Sequence, residues 1–133
     1  MSRAVATKLF FDGGCRPNPG VMEAAVVVRG AVHYADDLGH GSSEEAEWRA
    51  LLHALDLAAA LQLRDIVLLG DAAGVIGQAQ GTIRCRRFAR LLELYQAAVP
   101  TFERVRLRHI PRNQNLAGIA LARRRDGGAS RVS

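Results

Sequence analysis

Ile66-Val67-Leu68-Leu69-Gly70-Asp71 is the stretch that decides the fold. Ile66–Leu69 reads as a short, fully apolar strand, the kind that lies in the middle of a sheet. The strand ends on an acid. The same arrangement recurs upstream, where Asp12 closes the apolar run Leu9-Phe10-Phe11. A buried carboxylate costs several kcal/mol unless it is paired or holds a cation. Two strands that each deliver an acid at their carboxyl ends therefore suggest a shared site.

The remaining elements fall into place around these two strands. Residues 4–12 form the first strand, ended by Gly13-Gly14 and the turn-forming Arg16-Pro17-Asn18-Pro19-Gly20. Ala24–Arg29 and Ala31–Asp37 read as an antiparallel hairpin turning at Gly30. After a loop at Gly39–Ser43, a helix spans Glu44 to Leu61. Leu51, Ala54, Leu55 and Ala58 form its buried stripe, with Ser43 as a partial cap. Glu47 lies four residues before Leu51, on that same face, and so is a third acid where burial is expected.

Beyond Asp71 the pattern gives a helix over Ala72–Gln80, broken at Gly81, and a second over Arg84–Ala98. Phe88, Leu91, Leu92 and Tyr95 line one side of that second helix. Phe102–His109 alternates apolar and basic residues as a strand does. A last helix over Gln114–Arg125 carries Leu116, Ile119, Ala120 and Ala122 as its apolar side. The order β-β-β-α-β-α-α-β-α describes an α/β domain with a five-stranded mixed sheet flanked by helices. It occupies residues 1–125, with 126–133 as a flexible tail.

The 133 residues are enough for one real core, and 49% hydrophobic with 23% charged residues is ordinary for a globular protein. No run reaches the ~18 apolar residues of a membrane span, so no membrane partner is expected. The N-terminus lacks the apolar segment of a secretory signal, which makes the cytoplasm the expected compartment. Cys15 and Cys85 are far apart and outside any CxxC pattern, and read as free thiols.

Of the 18 basic residues all but Lys8 are Arg, and the net charge is +5. Guanidinium groups suit phosphate oxygens. Arg84, Arg86, Arg87 and Arg90 form one local concentration, and Arg104, Arg106, Arg108 and Arg112 another. Arg123-Arg124-Arg125 reads as the charged end of a helix.

If Asp12, Glu47 and Asp71 converge, they make an oxygen-only ligand set with no His or Cys pair at zinc spacing. That set selects a hard divalent cation, Mg²⁺ or Mn²⁺. Such ions, with open positions for water and phosphate, serve phosphodiester hydrolysis.

Four segments carry a family likeness as well. Asp12-Gly13-Gly14-Cys15-Arg16-Pro17-Asn18-Pro19-Gly20 resembles the DGGSRGNPG opening of the short bacterial and archaeal ribonuclease HI proteins. Ala46-Glu47-Trp48-Arg49-Ala50-Leu51 resembles their AEYxAL. Gly70-Asp71 with Val75, Gln78 and Gly81 resembles GDSxLVxxQxxG, and His109-Ile110-Pro111-Arg112-Asn113-Gln114-Asn115 resembles HVPRxxN. The likeness runs from about residue 8 to 122, in order and in register.

It implies a ribonuclease H-like fold and cleavage of the RNA strand of RNA–DNA hybrids with Mg²⁺ or Mn²⁺. By position, Asp12, Glu47 and Asp71 match the family's first three catalytic, metal-binding carboxylates. Gly13, Gly14, Asn18, Gln78 and Arg112 fall where the family touches nucleic acid. Arg112 is equally readable as a surface charge, and Gln78 as helix packing. His109 matches a family histidine and is a candidate proton shuttle, although its strand-end position favours a structural role. Recognition of the 2′-hydroxyl and of hybrid shape, rather than base sequence, goes with this class.

The chain also departs from the family. The fourth carboxylate, four residues after the motif's asparagine, is Ile119 here, and an isoleucine binds no metal. Asp126 lies seven residues further on, about 10 Å along a helix. In the family the first and fourth carboxylates hold the water-activating ion, so reduced turnover or a preference for Mn²⁺ is expected. Ser42-Ser43-Glu44 replaces TNN, and Ala72 replaces a serine. The alternative is a catalytically impaired nucleic-acid-binding module on the same fold. A nucleotide-binding domain is a weaker third reading, because no helix-opening phosphate loop follows Gly13-Gly14.

Overall fold

The computed structural model describes residues 5–130. In chain order its elements are β1 (Thr7–Cys15), β2 (Gly20–Val28), β3 (Ala31–Ala35), β4 (His40–Gly41), α1 (Ser43–Ala60), β5 (Asp65–Gly70), α2 (Ala73–Gln80), α3 (Ala89–Ala98), β6 (Arg104–His109) and α4 (Leu116–Ser130). Single 3-10 turns occupy Val99–Thr101 and Arg112–Gln114.

The principal sheet runs β3-β2-β1-β5-β6. β1 is antiparallel to β2 and parallel to β5, and β6 is parallel to β5. The five expected strands are therefore present in a mixed sheet. A sixth, β4, pairs Gly41 with Gly20 and His40 with Val21 inside what reads in sequence as a loop. Arg29 and Gly30 both have positive φ, at 52° and 79°. That is the geometry of a two-residue turn whose twist matches the strands it joins.

Alternation along β1 assigns the two faces of the sheet. Leu9 and Phe11 point to the face covered by α1, α2 and α3, where they join Trp48, Leu51, Leu55, Ile66 and Leu68 in the main core. The predicted stripe of α1 is fully buried there. Phe10 points to the opposite face, toward a smaller cluster of Ala25, Val27, Ala117 and Leu121 built on α4.

Several boundaries differ from the sequence reading. Ser42, not Ser43, caps α1: its hydroxyl accepts from the Glu45 amide at 3.1 Å. α3 begins at Ala89 rather than Arg84. The chain leaves α2 through Gly81 in the left-handed region, and the amides of Thr82 and Ile83 fold back onto the Gly77 carbonyl. This places Arg84, Arg86 and Arg87 on an exposed connection.

The buried side of α4 is Ala117 and Leu121, whereas Leu116 and Ala122 are exposed. The helix starts later than expected because Arg112–Gln114 forms a separate turn and Asn115 caps α4. Residues 126–130, read in sequence as part of a flexible tail, continue α4; residues 131–133 lie outside the described residues, as does residue 4 of the first strand.

Candidate active site

Parallel pairing sets Leu9 beside Leu68 and Phe10 beside Leu69. Two residues further in the same register, Asp12 stands beside Asp71. Gly70 is what permits this, because a Cβ there would lie 2.5 Å from the ring of Phe11. On the other side, the first turn of α1 crosses β1 so closely that a Cβ on Gly13 would sit 2.1 Å from the Ala46 carbonyl oxygen. That contact brings Glu47 to the strand, where its Oε1 accepts from the Gly13 amide at 2.6 Å.

The three acids therefore meet. Asp12, Glu47 and Asp71 each offer a carboxylate oxygen within 4.8 Å of the others. Burial raises Asp12 to about 6, with Asp71 adding to the rise, while Arg112 and Arg125 counter it. Burial raises Glu47 further, to about 9, with the Asp12 charge second; the Gly13 amide opposes this rise. In the absence of a cation the cluster retains a proton that a divalent ion would displace. A half-buried, oxygen-only donor set of this charge fits a hard divalent cation, and the neighbouring side chains fit no softer metal.

Asn115, the asparagine that ends the His109–Asn115 segment and to which the sequence reading assigns no role, completes the pocket. It is 0% exposed. Its Nδ2 donates to Asp71 Oδ2 and to the Phe11 carbonyl, both at 3.0 Å, and its Oδ1 accepts from the Ala117 amide at 3.1 Å. One side chain thus orients an acid, ties down β1 and caps α4. The sequence signal for it is its place at the end of the HVPRxxN-like segment; its capping role stays hidden because the last helix is expected to begin one residue earlier, at Gln114.

The acids open onto a cleft of about 750 Å³ whose lining includes Gly13, Ser43, Glu44, Arg112, Gly118, Ile119 and Arg125. Ile119 is in this wall, as its alignment with a fourth acid suggests. Gly118 is a near neighbour of the acids: a Cβ there would be 3.3 Å from Asp12 Oδ2. Arg112 lines the cleft as an exposed cation.

The other predicted contacts are engaged within the protein. Asn18 Oδ1 accepts from the Ser43 amide at 3.1 Å. Gln78 accepts from Trp48 Nε1 at 2.8 Å and donates to Glu44 at 3.3 Å, linking α2 to α1. Gly13 serves the close crossing of α1, and Gly14 faces Arg125. His109 Nε2 lies 3.2 Å from the Asp71 carbonyl oxygen, so the ring is anchored to the backbone beside the site. Arg124 and Arg125, read in sequence as helix-end charges, are built in. Arg124 bonds Asp36 and Glu23 and stacks over Tyr34, while Arg125 Nε donates to Glu23 at 2.6 Å.

Known proteins resemble this chain in sequence and in fold. A family model described as reverse transcriptase-like matches residues 10–125. Among curated relatives, a bifunctional protein of Mycobacterium tuberculosis is 32% identical over 120 residues, covering 84% of this chain and 33% of that protein. Ribonuclease HI of Halobacterium salinarum is 33% identical over 125 residues, covering 85% of this chain and 60% of that one. The chain thus spans about a third of the length of the mycobacterial relative.

Solved structures agree. The RNase H1 of Halobacterium salinarum superposes with a TM-score of 0.82 at 27% identity, covering 88% of this chain and 94% of that one. LC11-RNase H1 in complex with an RNA/DNA hybrid gives 0.65 at 27%, covering 83% and 88%.

Proposed function

The chain belongs to the ribonuclease HI family, and from that premise we propose that it is a divalent-metal-dependent endonuclease acting on the RNA strand of RNA–DNA hybrids. The observation that carries this reading is the meeting of Asp12, Glu47 and Asp71 at the carboxyl ends of two parallel strands. A solved relative captured on an RNA/DNA hybrid supports the substrate class.

In this reading the three carboxylates would hold Mg²⁺ or Mn²⁺, which when bound supplies Lewis-acid stabilisation of the phosphate and a more acidic water. The protein's own part is positional. Asn115 fixes the Asp71 carboxylate, and the Gly13 amide fixes Glu47. Arg112 supplies positive charge at the mouth of the cleft, where a phosphate backbone would enter. The 3.2 Å approach of His109 to the Asp71 carbonyl supports a role in orienting that loop.

A second reading, hybrid binding with little turnover, is favoured by one observation: among the described residues, the α4 wall of the cleft presents Gly118 and Ile119 and no acid. Incubation of a labelled hybrid with the protein in Mg²⁺ and in Mn²⁺ separates the two. Cleavage abolished by Asp71→Asn supports the nuclease. Binding without cleavage in either ion supports the module. Absence of both refutes the reading.

A further inference from the structure

The cleft has two unlike walls. One carries the three carboxylates. The other is α4, which contributes Gly118, Ile119, Leu121, Ala122 and one charged group, Arg125. Arg125 is not a loose surface charge, since its side chain is 26% exposed. Its Nε donates to Glu23 Oε1 at 2.6 Å, and the other oxygen of Glu23 accepts from Arg124 at 2.9 Å. Arg124 is in turn held by Asp36 and by the ring of Tyr34. The Glu23 carboxylate is therefore fixed from two sides, and it fixes the orientation of the guanidinium.

A guanidinium has five donors in a planar fork. The ion pair uses Nε and leaves the outer edge of the fork. Nη2 is buried and has no hydrogen-bond partner among the described residues. A Cβ built on Gly14 would lie 3.1 Å from it, so Nη2 rests against the end of β1, two residues past Asp12. The Arg125 charge is also felt by the Asp12 carboxylate. A buried donor with no acceptor is costly, so this guanidinium is held in place at some expense, with its inner corner against β1 and its open part lining the cleft.

We propose that Arg125 is a phosphate-binding residue: the part of its guanidinium that opens on the cleft takes an oxygen of the nucleic-acid backbone on the α4 side, opposite the carboxylates. This rests on the hybrid-processing reading above and deepens it. Residues from two elements would then grip one strand, with the acids of β1, α1 and β5 on one side and a preset arginine of α4 on the other. The glycine at position 14 leaves the room that this grip needs.

The test is equilibrium binding of an RNA–DNA hybrid in EDTA, measured across a series of KCl concentrations. Each lost phosphate contact lowers the slope of log Kd against log salt by about one. Arg125→Gln is expected to lower the slope by about one, while Arg125→Lys keeps most of it. Arg123→Gln, which removes an exposed charge two residues away on the same helix, is expected to leave the slope unchanged. Thermal unfolding of each variant guards against misfolding. Glu23→Gln, which frees the guanidinium without removing its charge, is expected to weaken binding at constant slope. An unchanged slope in Arg125→Gln, or an equal fall in Arg123→Gln, overturns the proposal while leaving the hybrid reading intact. A wild-type chain that binds no hybrid overturns both.

Discussion

Asn115 donates its side-chain amide to the Asp71 carboxylate at 3.0 Å from a fully buried position. An acid at a strand end can rotate among several rotamers, and this bond selects one. Because the same Nδ2 also reaches the Phe11 carbonyl, the orientation of Asp71 is tied to the backbone of β1.

Asn115→Ala should therefore act at a distance from the reacting atoms. Metal affinity or hybrid cleavage is expected to fall about 10–100-fold, the usual effect of removing a group that orients a ligand. Stability should drop by about 1–2 kcal/mol because α4 also loses its cap. Mn²⁺ titration and urea unfolding measure the two effects, and unchanged Mn²⁺ affinity would count against the positioning role.

The buried acids give stability a distinctive pH dependence. Asp12 is pushed up to about 6 and Glu47 to about 9, chiefly by burial. As pH rises through this window the unfolded chain has already shed protons that the folded one keeps, so stability contributed at low pH is lost progressively toward pH 9. Glu47→Gln removes the larger part of this loss. In EDTA it should be more stable than the wild type, by a margin that widens between pH 5 and 9 to about 1–2 kcal/mol, and it should no longer bind Mn²⁺. Parallel curves for the two proteins would contradict this.

Ile119 lines the cleft on the wall that carries no acid among the described residues. Ile119→Asp is expected to increase the number of Mn²⁺ ions bound per chain and to raise hybrid cleavage by about tenfold, equivalent to roughly 1.4 kcal/mol of barrier. Calorimetric titration gives the stoichiometry. An unaltered count would mean that α4 stands too far from the other acids to share an ion.

The two adjacent glycines of β1 should behave differently. Gly13→Ala forces a methyl group to within 2.1 Å of the Ala46 carbonyl oxygen, and the backbone of α1 cannot yield cheaply. A loss of about 3 kcal/mol is expected. Gly14→Ala meets only the end of the Arg125 side chain at 3.1 Å and should cost less than about 1 kcal/mol. Chemical denaturation of the pair checks the contrast.

Much of this was written plainly in the chain. Apolar runs that end abruptly in Asp12 and Asp71 announced both the central strands and the acids at their ends, and the helical stripe of α1 pointed Glu47 inward. What stayed hidden depended on long-range partners. Asn115 reads as a motif residue in the first turn of the last helix, with no role of its own, until Phe11 and Asp71 are placed beside it. Arg124 and Arg125 read as solvated charge because Glu23 and Asp36 lie roughly ninety to a hundred residues away. Helical patterning also carried α3 too far back toward Arg84, since nothing local shows that Thr82 and Ile83 fold onto Gly77.

The lopsided layering of the domain has a consequence for motion. α4 rests on a small cluster with Phe10, Ala25 and Val27, while the other helices share the large core. Amide hydrogens of β1 and β5 should exchange only through global unfolding, whereas those of α4 should exchange sooner, as a separate cooperative unit. If so, the domain could part from one bank of its groove and re-form it without melting.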